Sequence, residues 1–244
     1  MMFNMDKNHV IHAGRQNHHY EYLWGGGVLE TTESEKDVGV MVTANLKPSL
    51  QCERAAKKAN MVLGQLVRGI SYRDRKTFIR LYQVFVLPHL CYSVSAWAPY
   101  TVADKEVLEK VQRRAVMMVT NLRGSYEERL ATLGMRTLDA RRLRGDLIET
   151  YKILSGKSDV SIQTWFNLAQ DKECAVRTRA TTGHLNLVQP PVPNHDPRKH
   201  FFSQRVISDW NQLPNHVKMV QKTNEFKNAY ERHTGFGRNY AINQ

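Results

Sequence analysis

Apolar positions change their spacing near residue 46, from the short alternation of strands to the three- and four-residue spacing of helices. Before that point, Asn8-His9-Val10-Ile11-His12 alternates loosely and ends at Gly14. His18 to Trp24 is aromatic-rich and stops at Gly25-Gly26-Gly27. Val38-Gly39-Val40-Met41-Val42 is a β-branched run behind an acidic turn, Glu33 to Asp37. Runs of this kind, bounded by glycine and acidic clusters, read as strands. Together they predict a small antiparallel sheet. The triple glycine is too short for a phosphate loop and reads as a plain hairpin turn.

From Lys47 the pattern is helical, and Pro48 suits a helix start. On a wheel of about 100° per residue, Ala55, Ala59, Val62, Leu63 and Leu66 share one arc. Arg54, Lys57, Lys58, Gln65 and Arg68 fall on another. One face packs and the other is basic. Almost no acid shares the basic face, so the ion pairs that lace an ordinary solvated helix are missing there. Thr77 to Trp97 is a long apolar stretch broken by Pro88. It predicts a helix to Leu87, a kink or stop, and a short buried helix through Tyr92 and Trp97. His89, beside the proline, reads as a core histidine and not as a ligand. Asp104 to Val119 is amphipathic, with Val107, Leu108, Val111, Ala115, Met118 and Val119 on one face and Lys110, Arg113 and Arg114 opposite.

Ser125 and Glu128 have capping-box spacing, and Gly134 ends the helix they open. Asp139 to Leu154 carries the stripe Leu143, Leu147, Tyr151 and Leu154. Its Arg142 has Asp146 and Glu149 four and seven positions ahead, so this helix reads as structural. Gly156 is a C-cap. Trp165-Phe166 closes a short helix. Residues 170–197 are polar and proline-rich, with a possible strand at Leu185-Asn186-Leu187-Val188. Arg198 to Trp210 resumes helical spacing until Pro214, a last helix runs from Asn224 to His233, and the tail from Gly235 reads as disordered. The resulting class is mainly α, with a small N-terminal antiparallel β-sheet, a helical bundle over 47–169, a linker over 170–197 and a helical segment over 198–234.

Composition adds charge to this picture. The 244 residues hold 35 Lys and Arg against 23 Asp and Glu, a formal charge of +12. Such an excess repels itself and is useful beside a polyanion, nucleic acid before an anionic membrane. The basic helices lack a broad exposed apolar face, which argues against a membrane surface. The longest apolar run, Val84 to Leu87, is far too short to cross a bilayer, and no signal peptide opens the chain. The expected localisation is nucleus or cytoplasm. Cys52, Cys91 and Cys174 are scattered without CxxC spacing, which argues against a disulfide framework and a zinc site and for free thiols.

Chemistry is hard to find. There is no GxSxG, no Walker loop and no paired-histidine metal spacing. Two-metal phosphoryl transfer needs clustered carboxylates, and the acids here are dispersed among bases or gathered in Glu33-Ser34-Glu35-Lys36-Asp37. From the residues alone this is a basic, helical binding protein.

Local strings nevertheless resemble a known family in order and spacing. Asp6-Lys7 followed by Val10-Ile11-His12-Ala13-Gly14-Arg15 resembles the palm strand after the catalytic centre of non-LTR retrotransposon reverse transcriptases, closest to the jockey and CR1-like branch. Glu35-Lys36-Asp37-Val38-Gly39-Val40 resembles their primer-grip hairpin. Ala55-Ala56-Lys57-Lys58-Ala59-Asn60 and Tyr72-Arg73-Asp74 resemble the thumb. Pro88-His89-Leu90, Trp97-Ala98-Pro99-Tyr100, Leu108 to Ala115 and Arg141 to Leu147 continue the likeness. So do Arg198 to Ser203 and Trp210-Asn211-Gln212-Leu213-Pro214.

The resemblance implies an end of palm and primer-grip hairpin over 1–46, and a thumb and connection region over 47–169. It implies RNA-directed DNA polymerase activity, with Mg²⁺, for the parent enzyme. The aspartates that hold that metal lie upstream of the resembling stretch, so this chain alone is expected to need no cofactor and to be inactive as a polymerase. Val38, Gly39 and Val40 would lie along the primer strand near its 3′ end, where glycine permits close backbone approach; Gly39 equally suits a β-bulge. Arg54, Lys57, Lys58 and Arg68, with Lys110, Arg113 and Arg114, would meet the phosphates of a template–primer duplex or RNA–DNA hybrid. The alternatives are a remnant without function, or a domesticated helical scaffold for protein–protein interaction.

Overall fold

Six short strands precede thirteen helices along the described residues of the computed structural model, which are 8–14, 17–169 and 186–235. The class is mainly α, as the spacing predicts. The N-terminal strands form three separate two-stranded ladders instead of one sheet. β1 (His9–Val10) pairs with β4 (Glu30–Thr31) in parallel, while β2 (Leu23–Trp24) and β3 (Gly27–Val28) form an antiparallel hairpin. The third ladder joins β5 (Ser34–Asp37) to β6 (Val40–Thr43). The acidic segment expected to turn is therefore a strand, and the turn falls on Val38-Gly39. Its charged side chains point along a two-stranded ribbon open to water, so alternation of charge does not oppose a strand there.

Helix α1 (Ser49–Gly69) is tied to this ribbon by Gln51, whose side-chain carbonyl accepts from the Met41 amide at 2.9 Å. It buries Cys52, Ala55, Ala56, Ala59 and Leu63. The alanines keep this face low, so helix α5 (Val102–Met117) packs directly against it with Leu108, Val111 and Ala115. Burial pushes the Cys52 thiol up to about 12 and also raises that of half-buried Cys91; both are free. Cys174 lies outside the described residues.

The break at Pro88 takes an unforeseen form. Helix α2 (Arg75–Leu81), capped by Asp74, widens into a π-turn over Tyr82–Val86 before α3 (Leu87–Cys91). Proline lacks an N–H and crowds the carbonyl four residues back. The wider turn relieves that, with the Leu87 amide reaching the Tyr82 carbonyl. His89 is half-buried and not a core residue, because the π-turn and Pro88 leave this side of α3 facing outward. Short α4 (Val94–Trp97) follows.

Ser125 and Glu128 form the expected capping box of α6 (Tyr126–Leu133), which ends at left-handed Gly134. Inside this bundle Gln112, fully buried, accepts from the Tyr82 hydroxyl at 3.1 Å and donates to the Arg136 carbonyl at 3.0 Å. A buried amide satisfied on both sides fixes one arrangement of its neighbours.

Helix α7 (Leu138–Leu154) belongs to two cores. Leu138 closes the first. Leu147, Tyr151 and Leu154 enter the second, with Phe166, Phe202, Val206, Trp210 and Phe226. Gly156 takes the left-handed angle expected past its end. Arg142 pairs with Asp139 at 3.3 Å instead of reaching forward to Asp146 or Glu149. Arg205 occupies Asp146 with two bonds, at 2.9 and 3.1 Å, and Glu149 pairs with Lys152.

The C-terminal stretch expected as one helix from Arg198 is broken into α9 (Asp196–Lys199), α10 (Phe202–Arg205) and α11 (Ile207–Gln212), after α8 (Ile162–Trp165). Extended backbone at Phe201 sends Phe202 into the core while Phe201 stays outside and stacks on Trp165. α12 (Asn215–Lys218) and α13 (Thr223–Thr234) complete the chain. Of the strand expected at 185–188, Leu187 forms an isolated bridge to Leu168; Leu185 and the tail from 236 lie outside the described residues.

Candidate nucleic-acid interface

The basic arc of α1 is built by its own periodicity. With Ala55, Ala59 and Leu63 facing the core, Arg54, Lys57, Lys58 and Arg68 emerge on the opposite side, and all four are exposed. The only acid within α1 is Glu53. Among the described residues none of the four takes part in an ion pair. Arg68 sits in the last helical turn, where a cation also favours the helix dipole. From Arg54 to Arg68 the arc runs about 21 Å, at roughly 1.5 Å per residue.

Helix α5 extends this basic surface in part. Lys110 and Arg114 are exposed, and the Arg114 guanidinium reaches the Asn60 side chain of α1 at 3.4 Å. That contact puts a cation of α5 at the border of the α1 arc. Arg113 behaves differently. It donates to Glu106 at 2.6 Å and lies over the Tyr126 ring, with 5.1 Å to the centroid. The Arg113 hydrogen bond holds the Glu106 carboxyl below its usual range. Arg113, expected on the face opposite the apolar stripe, is half-exposed and holds an ion pair. An acid two helical turns back, Glu106, pairs with it.

Val38, Gly39 and Val40 lie at the tip of the β5–β6 hairpin. The pairing of Asp37 with Val40 leaves Val38 and Gly39 as a two-residue loop, both at positive φ, +42° and +88°. This is the primed turn that matches strand twist, and it replaces both the strand and the bulge readings of Gly39. Tyr92, in the joint between α3 and α4, holds this turn: its hydroxyl donates to the Val38 carbonyl at 3.1 Å. Its ring covers Gly39 so closely that a Cβ there would stand 3.2 Å from it. Tyr92, expected within a buried helix, is instead exposed, on extended backbone past α3, and nothing local in the sequence links it to a turn so far back in the chain.

Metal chemistry finds no support in these residues. No group of three or more His, Cys, Asp or Glu converges among the described residues. His9 stands 3.0 Å from Glu35 of the hairpin and 3.8 Å from Glu30 of β4. The described residues therefore offer no carboxylate cluster of the kind that holds the Mg²⁺ the resemblance implies for a parent polymerase. Among the described residues no helix is long and apolar enough to cross a membrane.

Comparison with protein-family models, with curated proteins and with solved structures finds no match.

Proposed function

We propose that this chain binds a nucleic-acid duplex, a template–primer or RNA–DNA hybrid, through the exposed arc of α1. In this reading it is the thumb and primer-grip part of a reverse transcriptase of the non-LTR retrotransposon type. The observation that carries the proposal is the arc itself: four exposed cations on one helix face without acidic partners among the described residues. A solvated helix of ordinary composition mixes signs. One that presents a single sign gains free energy when a polyanion releases its counterions. Lys110 and Arg114 widen the surface. The order of family-like strings along the chain supplies the rest of the reading.

The test reverses Arg54, Lys57 and Lys58 to glutamate in the full chain. Exposed substitutions usually cost within about 0.5 kcal/mol each, so thermal unfolding is nearly unchanged. Affinity for a hybrid duplex falls by roughly tenfold or more, since contacts are lost and repulsion is added. With three or more phosphates engaged, log K of the unmodified chain falls with log salt at a slope of about −2 or steeper. Reversal of Arg142 and Arg144 serves as control. Arg142 is buried beside Asp139 and Arg144 pairs with Glu231, so folding suffers first. Unchanged duplex affinity in the triple variant, or a flat salt response, transfers the chain to the protein-scaffold class.

A further inference from the structure

A cavity apart from the α1 arc lies beside the C-terminal core. It is a half-open groove of about 400 Å³ between α8 and the α9–α10 corner. Phe166 and Ile207 form its floor, and both are buried. Trp165 and Phe201 form an aromatic wall, stacked with centroids 5.6 Å apart and planes 7° from parallel. Phe201 remains 40% exposed although it is a large apolar side chain. Arg198 lies over that ring, 6.0 Å from its centroid. The amides of Gln163, Asn167 and Gln204 stand at the rim. Among the described residues Arg198 is the one charged residue of the lining, and no carboxylate lines it.

Each part of this groove selects something different. The part of Phe201 left open beside its stack on Trp165 favours a planar, apolar-faced group, and base–aromatic stacking of this kind tolerates any base. Amides at the rim both donate and accept, which suits the hydrogen-bonding edge of a heterocycle. A lone arginine without a neighbouring acid in the lining favours an anion, and its planar fork suits phosphate. A proline-rich or aromatic peptide would satisfy the wall but leave Arg198 without a counter-charge. We infer that the groove between Trp165, Phe201 and Arg198 binds one unpaired nucleotide, base against the aromatic wall and phosphate at Arg198. The chain then carries a single-strand site separate from its duplex-binding face, and this inference does not depend on the duplex proposal.

Photo-crosslinking of the full chain to a single-stranded oligouridylate carrying one 5-iodouridine tests the assignment. The crosslinked peptide contains Trp165 or Phe201, and Lys57→Glu leaves that crosslink in place. Phe201→Leu and Arg198→Gln alter exposed side chains and keep the fold, which unfolding curves verify. Each lowers single-strand affinity, by about tenfold for the lost stacking partner. Uridine monophosphate as competitor separates two sources of the same chemistry: displacement at concentrations near those of the oligonucleotide marks a free-nucleotide pocket, and weak displacement marks a strand site. Crosslinks confined to α1 or α5, or unchanged affinity in both folded variants, overturn the inference and leave the groove to a peptide or to the chain itself.

Discussion

Val38 holds a backbone angle of φ +42° although its side chain is β-branched and 80% exposed. Branching at Cβ makes this region costly, and primed turns ordinarily place Asn or Asp before the glycine. No core contact of Val38 offsets the cost. The compensation comes from Tyr92, which bonds its carbonyl and packs on Gly39. Val38→Asn is therefore expected to stabilise the protein by about 0.5–1 kcal/mol, read in a denaturant midpoint. Tyr92→Phe should speed hydrogen exchange of the hairpin amides while leaving the bundle unchanged. A Val38→Asn protein less stable than the parent would mean that the turn is not of the primed type. The same residues show where sequence reading stops. Val-Gly carries no turn signal of its own, and four β-branched or apolar residues around Gly39 look like a strand. Tyr92 bonds its partner 54 positions away, a separation that no local pattern encodes.

Periodicity carried more information at the level of elements. α1 was legible in full because 21 residues repeat one face without interruption, and burial followed the wheel: Ala55, Ala59 and Leu63 are buried, and Val62 and Leu66 partly so. The C-terminal stretch was not, because adjacent Phe201 and Phe202 serve different surroundings. On an unbroken helix neighbouring side chains diverge by about 100°, which does not separate a core position from an outward stack on Trp165. The chain breaks to do so. The candidate site divided the same way. The wheel put the four cations of α1 on an exposed face, whereas it left open that Arg113 would pair with Glu106, seven residues back in the same helix. One residue of α1 contradicts its own helix. Gly64 lies in the interior, and an added Cβ would meet nothing within 4 Å. Glycine in such a position costs about 1 kcal/mol relative to alanine. Gly64→Ala should raise stability by roughly that amount, measured by thermal unfolding. A lower melting temperature would mean that this side of α1 is closed in solution by other parts of the chain.

Two cores share α7, and at the scale of the molecule one ion pair stitches them. Arg205, on α10, donates twice to Asp146 of α7 and also to the carbonyls of Val94, Ser95 and His200. Ser95 adds a bond to the same carboxylate at 3.3 Å. The guanidinium thus closes the joint between α4, α7 and the C-terminal helices. Asp146 is 6% exposed at its side chain and Arg205 17%. Burial raises the Asp146 carboxyl above its ordinary value, and the Arg205 hydrogen bond opposes that rise. Removing the arginine leaves a buried charge without compensation, which costs about 3 kcal/mol or more. Arg205→Ala is expected to destabilise the chain by that order near neutral pH. The pH dependence has a defined sign. Without Arg205 the folded-state pKa of Asp146 rises further above its unfolded value, so the folded state binds the proton more tightly. The deficit is then largest above the folded pKa and shrinks as the pH falls through it, because a neutral carboxyl no longer needs the partner. Asp146→Asn combined with Arg205→Met should recover much of the loss at neutral pH. Unfolding curves of the two variants and the unmodified chain at neutral and mildly acid pH distinguish this from a packing effect, in which the deficit of Arg205→Ala would stay constant with pH and the double variant would bring no recovery.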